Sequence, residues 1–196
     1  MNDLQLMSSG LWHNGKTQMI GEALMHTRRL CHRLNMLDPD NEAERCRILT
    51  GMLGKIEPPF VIHSPFRCDF GSQIHIGRNF MANYNLTVLD EAGVTIGNDV
   101  LIGPNVSIFT IIHALDPIQR AEGIMRSAPV SIGNNVWIGG NVVILPGVTI
   151  GDGAVIGAGS VVTRPIPPGV LAAGNPCQII RNITESDKVS EIASPS

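Results

Sequence analysis

Residues 132–162 read IGNNVWIGGNVVILPGVTIGDGAVIGAGSVV and place an aliphatic side chain at every sixth position: Ile132, Ile138, Ile144, Ile150, Ile156 and Val162. Glycine follows at Gly133, Gly139, Gly151 and Gly157, and a second small or apolar residue stands four places on, at Val136, Val142, Val148, Ala154 and Ser160. A helix spaces its apolar residues three and four apart and a half-buried strand two apart, so a sustained six fits neither alone. It fits short strands joined by turns, stacked so that an aliphatic column points inward and a glycine permits each tight corner. Each buried side chain of such a column contributes roughly 1.5–3 kcal/mol, so the column supplies most of the domain's hydrophobic stabilisation.

Upstream, VTIGNDVLIGPNVSIFT (94–110) repeats the pattern at Ile96, Ile102 and Ile108. A fainter version runs through Ile76, Ala82 and Val88, and two extra residues around Glu91 to Gly93 then shift the register. Between Ile108 and Val130 the pattern lapses. The interruption, FTIIHALDPIQRAEGIMRSAP, must leave the solenoid as a loop, here bounded as 109–129, and rigid scaffolds tend to carry their chemistry on such loops. His113 lies in it.

Composition narrows the classes further. Aromatic residues make up 4% of the 196 residues and apolar residues 43%, which suits a tightly wound sheet protein and excludes disorder. The net charge of −3 argues against binding to nucleic acid or an anionic membrane. Ser127 to Gly151 carries no charge, but its asparagines, glycines and Pro146 make it a poor membrane helix, and the N-terminus lacks signal-peptide character. Cys31, Cys46, Cys68 and Cys177 form no CxxC pair and read as buried thiols of a reducing, cytoplasmic compartment. No metal site is expected.

Three regions follow. Residues 1–57 form an N-terminal helical segment, with helices expected at 20–37 and 39–54. Leu24, Cys31 and Leu34 lie on one stripe of the first, and Asp38–Pro39 supplies an N-cap and first-turn proline for the second. Residues 58–183 form the solenoid. The polar tail, 184–196, is expected to be weakly ordered.

The segments at 132–162 and 94–110 resemble the hexapeptide-repeat acyltransferases. With FRCDFGSQIHIGRNFMANYNLTVLDE (66–91) and PPGVLAAGNPCQIIR (167–181), the chain resembles their maltose, galactoside and nodulation-factor O-acetyltransferase branch over roughly residues 7–183. The resemblance implies a left-handed parallel β-helix, an exception to the right-handed crossover rule. It also implies a homotrimer with acetyl-coenzyme A between neighbouring subunits, and an N-terminal segment that helps wall the acceptor site.

O-acetyl transfer needs a base, because a sugar hydroxyl is a poor nucleophile until its proton leaves, and imidazole suits that task near neutral pH. The loop position and the resemblance both single out His113; the other histidines, His13, His26, His32, His63 and His75, lie outside the loop. The resemblance assigns the Gly140 amide as donor to the developing oxyanion, with direct attack in a ternary complex and no acyl-enzyme. It assigns Asp69, Asn83 and Glu91 to the acceptor. Asn83 could equally belong to an asparagine ladder, and Tyr84 and Met125 either wall the pocket or serve packing. At Glu91 the family often has aspartate, and at Gly15 galactoside-acetylating relatives have a sugar-binding aspartate. For coenzyme A it points to Trp137, Gly140, Ala158, Thr163, Arg164 and Arg181, the arginines suiting phosphate. Gly174, Asn175 and Pro176 mark the exit turn, and the group that orients His113, Asp116 among the candidates, is left open.

Three other readings share the scaffold: a three-histidine zinc hydratase, disfavoured because no HxxxxH occurs; a xenobiotic or serine O-acetyltransferase; and a non-catalytic hexapeptide scaffold.

Overall fold

The computed structural model describes residues 1–191; the last five residues of the expected weak tail lie outside the described residues. The chain opens with α1 (Asp3–Ser8), capped by Asn2, then the short strand β1 (His13–Asn14), α2 (Gln18–Asn35) and α3 (Glu42–Met52). Helix α1 has no counterpart among the two helices expected from the sequence. The cap of α3 is also different from that expected: Asn41 Oδ1 accepts the Glu44 N–H at 3.3 Å, whereas Asp38 Oδ1 accepts the Asp40 N–H at 3.0 Å. Asp38 and Pro39 therefore build the turn before the helix and leave its first turn to Asn41.

The solenoid is a parallel β-helix. Its first coil is β2 (Lys55–Ile56), β3 (Phe60–Ile62) and β4 (Phe66–Cys68); the second is β5 (Ile74–Ile76), β6 (Phe80–Ala82) and β7 (Leu86–Leu89); the third is β8 (Val94–Ile96), β9 (Leu101–Ile102) and β10 (Ser107–Phe109). An excursion follows, formed by β11 (Ile111–His113), α4 (Pro117–Glu122) and β12 (Ile124–Ser127). The coils resume with β13 (Val130–Ile132), β14 (Trp137–Ile138) and β15 (Val143–Ile144), then β16 (Thr149–Ile150), β17 (Val155–Ile156) and β18 (Val161–Val162). A last turn carries β19 (Val170–Ala173), and β20 (Gln178–Asn182) returns antiparallel to it.

Equivalent strands stack into three parallel faces. We call the face of β2, β5, β8, β13 and β16 the first, that of β3, β6, β9, β14, β17 and β19 the second, and that of β4, β7, β10, β15 and β18 the third. The six-residue columns fill the interior, with Ile132, Ile138, Ile144, Ile150, Ile156 and Val162 each at most 3% exposed. Val136, Val142, Val148, Ala154 and Ser160 are buried with them.

The glycine after each aliphatic residue is needed for a different reason from the one expected. A Cβ on Gly139 would lie 2.6 Å from the Ala158 nitrogen, so this position is kept bare by the next coil's backbone. The left-handed turn itself falls two residues later, on Asn135 (φ 55°) and Asn141 (φ 58°), and on Gly147, Gly153 and Gly159. Asparagine tolerates that region better than other side chains do. The side chains at one such column also bond each other: Asn85 Nδ2 donates to Asn105 Oδ1 (2.9 Å) and Asn105 Nδ2 to Asn141 Oδ1 (3.1 Å).

Helix α2 packs Cys31 and Leu34 into the same core, while Ile20 joins Met7 and Phe70 in a smaller cluster that Leu24 abuts. Of the cysteines, Cys31, Cys68 and Cys177 are buried as expected, but Cys46 is exposed on α3. All four are free thiols.

Candidate active site

The edge between the third and first faces gathers carboxylates. Asp69 follows β4, and Asp90 and Glu91 follow β7, in the two extra residues where the repeat slips. Asp90 is fully buried; its Oδ1 accepts the N–H groups of Asp69 (3.1 Å) and Phe70 (2.9 Å), while Oδ2 has no partner among the described residues. Burial raises Asp90 to about 6 against the pull of its backbone donors. Burial, then the Asp69 charge and side chain, raises Glu91 to about 8, so Glu91 holds a proton at neutral pH. Thr110, one coil above, donates from Oγ1 to the Leu89 carbonyl at 2.8 Å, stands 3.4 Å from Glu91 Oε2 and accepts the Ala92 N–H. Beside this edge, between α2 and the third face, a cleft of about 550 Å³ is lined by Asp69, Arg28, His32 and Arg67 among others.

The excursion grows from the same edge, and its two stems are tied by the Ala128 N–H donating to the Thr110 carbonyl at 2.8 Å. It is an antiparallel hairpin with a helical tip. Strand β12 lies at its centre, paired with β11 on one side and with β1 of the N-terminal segment on the other. His113 ends β11, is exposed, and stands opposite Met125. Asp116 is occupied elsewhere: its Oδ1 accepts the Gln119 N–H at 2.9 Å and caps α4.

The edge between the second and third faces has another character. Asn83, Gly103, Gly139 and Gly157 occupy equivalent places in successive coils, and Tyr84, Pro104, Gly140 and Ala158 the next ones, as the coil-to-coil backbone bonds show. Asn83 is not a rung of the asparagine ladder, which runs through Asn85, Asn105 and Asn141 instead. Its Oδ1 accepts the Tyr84 N–H at 2.8 Å, and the Tyr84 ring stacks on His63 with centroids 5.1 Å apart. At Gly140 the carbonyl accepts from Gly159, and the Gly139 N–H donates to Ile156. The Gly140 N–H takes no part in the backbone bonds among the described residues. The small side at 140 and 158 keeps this edge shallow.

Trp137 is exposed on the second face, between Leu101 and Val155. Thr163 and Arg164 are exposed at the upper end of the carboxylate edge. Arg181, on β20, forks onto Asp187 through two bonds of 2.6 and 2.8 Å, so a phosphate there would have to compete with that carboxylate.

One chain thus brings together Asp69, Glu91 and the root of the His113 arm, and separately Asn83, Gly140 and Ala158. The third face stands between the two groups; its strands of two to four residues span roughly 7–13 Å. Sequence reading missed the burial of Asp90, the bridging Thr110 and the β1–β12 pairing; the acidic pair at the register slip was the available signal for the first.

Chemically, the carboxylate edge can donate and accept hydrogen bonds to a polyhydroxylated molecule, the arm supplies an imidazole, and the other edge supplies a fixed N–H. No group of three or more metal-ligating side chains occurs among the described residues, and no described helix is long and apolar enough to cross a membrane.

Residues 129–164 match the family described as bacterial transferase hexapeptide (six repeats), and residues 6–57 the maltose acetyltransferase hexapeptide capping motif. The galactoside O-acetyltransferase of Escherichia coli K12 is 47% identical over 167 residues, covering 85% of this chain and 82% of that protein. A galactoside acetyltransferase solved in complex with coenzyme A superposes with a TM-score of 0.92 at 41% identity, covering 99% of this chain and all of that one. A hexapeptide-repeat acetyltransferase of Vibrio cholerae, solved with acetyl-coenzyme A, gives 0.87 at 37% identity, covering 94% of this chain and all of that one.

Proposed function

Because the chain belongs to the hexapeptide-repeat acyltransferases, in the branch bearing the maltose acetyltransferase capping motif, we propose that it moves the acetyl group of acetyl-coenzyme A to a hydroxyl of a sugar or glycoside. The observation that carries the reading is the division of polar groups between two edges of one prism. In this reading a base on an arm and a free backbone N–H on the far edge meet where neighbouring copies pack edge against edge in a closed trimer.

Acetyl-coenzyme A supplies an activated acetyl thioester. The chain's residues suit it: the shallow edge at Gly140 and Ala158 admits a linear arm against backbone, with Trp137 on the adjoining face, Thr163 and Arg164 lie exposed for the phosphates, and Arg181 lies near the top of the solenoid. Asp69, Glu91 and Asn83 hold the acceptor, and the proton on Glu91 makes it a donor to a sugar oxygen. His113 takes the proton of the attacking hydroxyl as it attacks, and the Gly140 N–H stabilises the oxygen on which charge develops. No covalent acetyl-enzyme forms. The four unpaired thiols suit the cytoplasm.

Thiol release from acetyl-coenzyme A with a panel of sugars and glycosides tests the reading. His113→Ala should lower kcat by about 10²–10⁴-fold while coenzyme A still binds. Undiminished turnover in that variant would remove the base, and no turnover with any acceptor would remove the reaction.

A further inference from the structure

Helix α2 runs alongside β4 and the residues that follow it, and successive turns of the helix meet successive same-side residues of that stretch. Thr27 Oγ1 donates to the Phe70 carbonyl at 3.2 Å. Two turns on, Asn35 holds both backbone groups of Phe66, its Nδ2 donating to the carbonyl and its Oδ1 accepting the N–H, each at 2.9 Å. Residues four apart share one helix face and residues two apart one side of a strand, so Cys31 and Cys68 form the rung between these two. Their sulfurs stand 3.9 Å apart, and the Cys31 sulfur also stands 4.0 Å from Met52 Sδ. The outer rungs hold helix and strand in register and so keep the two sulfurs facing each other. Each cysteine is only 6% exposed, yet both line the cleft of about 550 Å³ between α2 and the third face, through which a small oxidant reaches them.

Donation from the Cys68 thiol favours the thiolate of Cys31 and lowers it below its ordinary value, while the same bond, burial and the nearby Asp90 and Asp69 raise Cys68. Cys31 is the better attacking thiolate and Cys68 the resolving thiol. We propose that Cys31 and Cys68 form a redox-sensitive pair that a hydroperoxide converts to an intramolecular disulfide, locking the N-terminal helical segment onto the first coil. The Cys31 sulfur attacks one oxygen of the peroxide; the O–O bond breaks, and the other oxygen, with its own hydrogen and the Cys31 proton, leaves as water. Cys68 then attacks the sulfenic sulfur, an S–S bond forms as the S–O bond breaks, and the second water carries away the Cys68 proton. The two thiols together lose two electrons, and one peroxide is reduced to two waters. Contraction from 3.9 Å to the roughly 2.05 Å of an S–S bond asks about 1 Å of each sulfur. Disulfides of cytosolic proteins are typically transient and redox-sensing, and a dithiol returns this one to its two thiols.

The test treats the whole protein carrying Cys46→Ser, which removes the exposed thiol, with hydrogen peroxide. Alkylation after unfolding should fall from the three remaining thiols to one, the intact mass should fall by two hydrogens, and proteolysis should yield the cross-linked peptide of Cys31 and Cys68. The oxidised protein should melt about 5–10 °C higher, because the link joins residues 37 apart in the chain, and dithiothreitol should reverse both changes. Cys31→Ala and Cys68→Ala should each abolish the link and the shift. Three thiols retained, thiols lost without that peptide, or a link through Cys177 overturns the pair. A link between Cys31 and Cys68 that leaves the melting temperature unchanged or lower overturns the lock. Acetyl transfer plays no part in these readouts, so they stand or fall apart from the proposed reaction.

Discussion

Asp90 Oδ1 accepts the backbone N–H of Asp69 at 3.1 Å, so a buried carboxylate of the second coil fixes the corner of the coil below it. The same corner keeps Glu91 against Asp69, and the electrostatics of the acceptor edge follow from that enforced proximity. Three acidic groups share this corner, two of them, Asp90 and Glu91, buried.

Stability should therefore depend on pH in a definite direction. Glu91 rises from its ordinary 4.5 to about 8 and Asp90 from 3.8 to about 6, both chiefly through burial. The folded protein binds more protons than the unfolded chain between those values, so stability is greatest below pH 4.5 as far as Glu91 is concerned and declines as pH rises toward 8. Glu91→Gln should flatten this decline and melt higher than the unaltered protein at pH 8, by about 2–4 °C for each kcal/mol recovered. Melting curves from about pH 5 to about 8.5 read this directly. An unchanged slope in the variant would show that Glu91 is not the titrating group.

A repeat glycine and the glycine at the register slip should respond differently to alanine. A Cβ on Gly103 would lie 2.6 Å from the Gly140 nitrogen, whereas a Cβ on Gly93 meets nothing within 4 Å among the described residues. Gly103→Ala should cost at least about 1–3 kcal/mol, because backbone rather than a side-chain tip must move, and Gly93→Ala should be nearly neutral. Urea denaturation of the two variants distinguishes them.

The asparagine ladder combines two effects that can be separated. Asn105 has φ 59° and bonds both Asn85 and Asn141. Asn105→Ala should lose about 1–2 kcal/mol from left-handed strain as well as the ladder, while Asn105→Gly should lose only the ladder. Equal losses would mean that the conformation contributes nothing.

If neighbouring copies complete one another's sites, two inactive variants should rescue each other. Co-expressed His113→Ala and Asn83→Ala chains should recover about a quarter of the unaltered activity, the fraction of interfaces that receive both intact residues. No recovery in confirmed mixed oligomers would place both residues in one copy's site.

The repeat, the inward columns and the excursion around His113 were all legible in the linear chain, because a solenoid makes each coil contact its neighbours at a fixed interval. The acidic residues Asp69 and Glu91 were equally visible as residues. What one dimension could not convey was distance across the coils. The stacking decided that Asp90 is sealed and Glu91 protonated, that Asn83 stands outside the ladder, and that Asp116 serves a helix cap. It also decided that the glycine after each aliphatic residue is kept bare by the coil above, while the left-handed turn falls elsewhere. The pairing of β1 with β12, which sets His13 opposite Met125, joins segments more than a hundred residues apart, and no local periodicity encodes a contact whose partners meet only after the coils have closed.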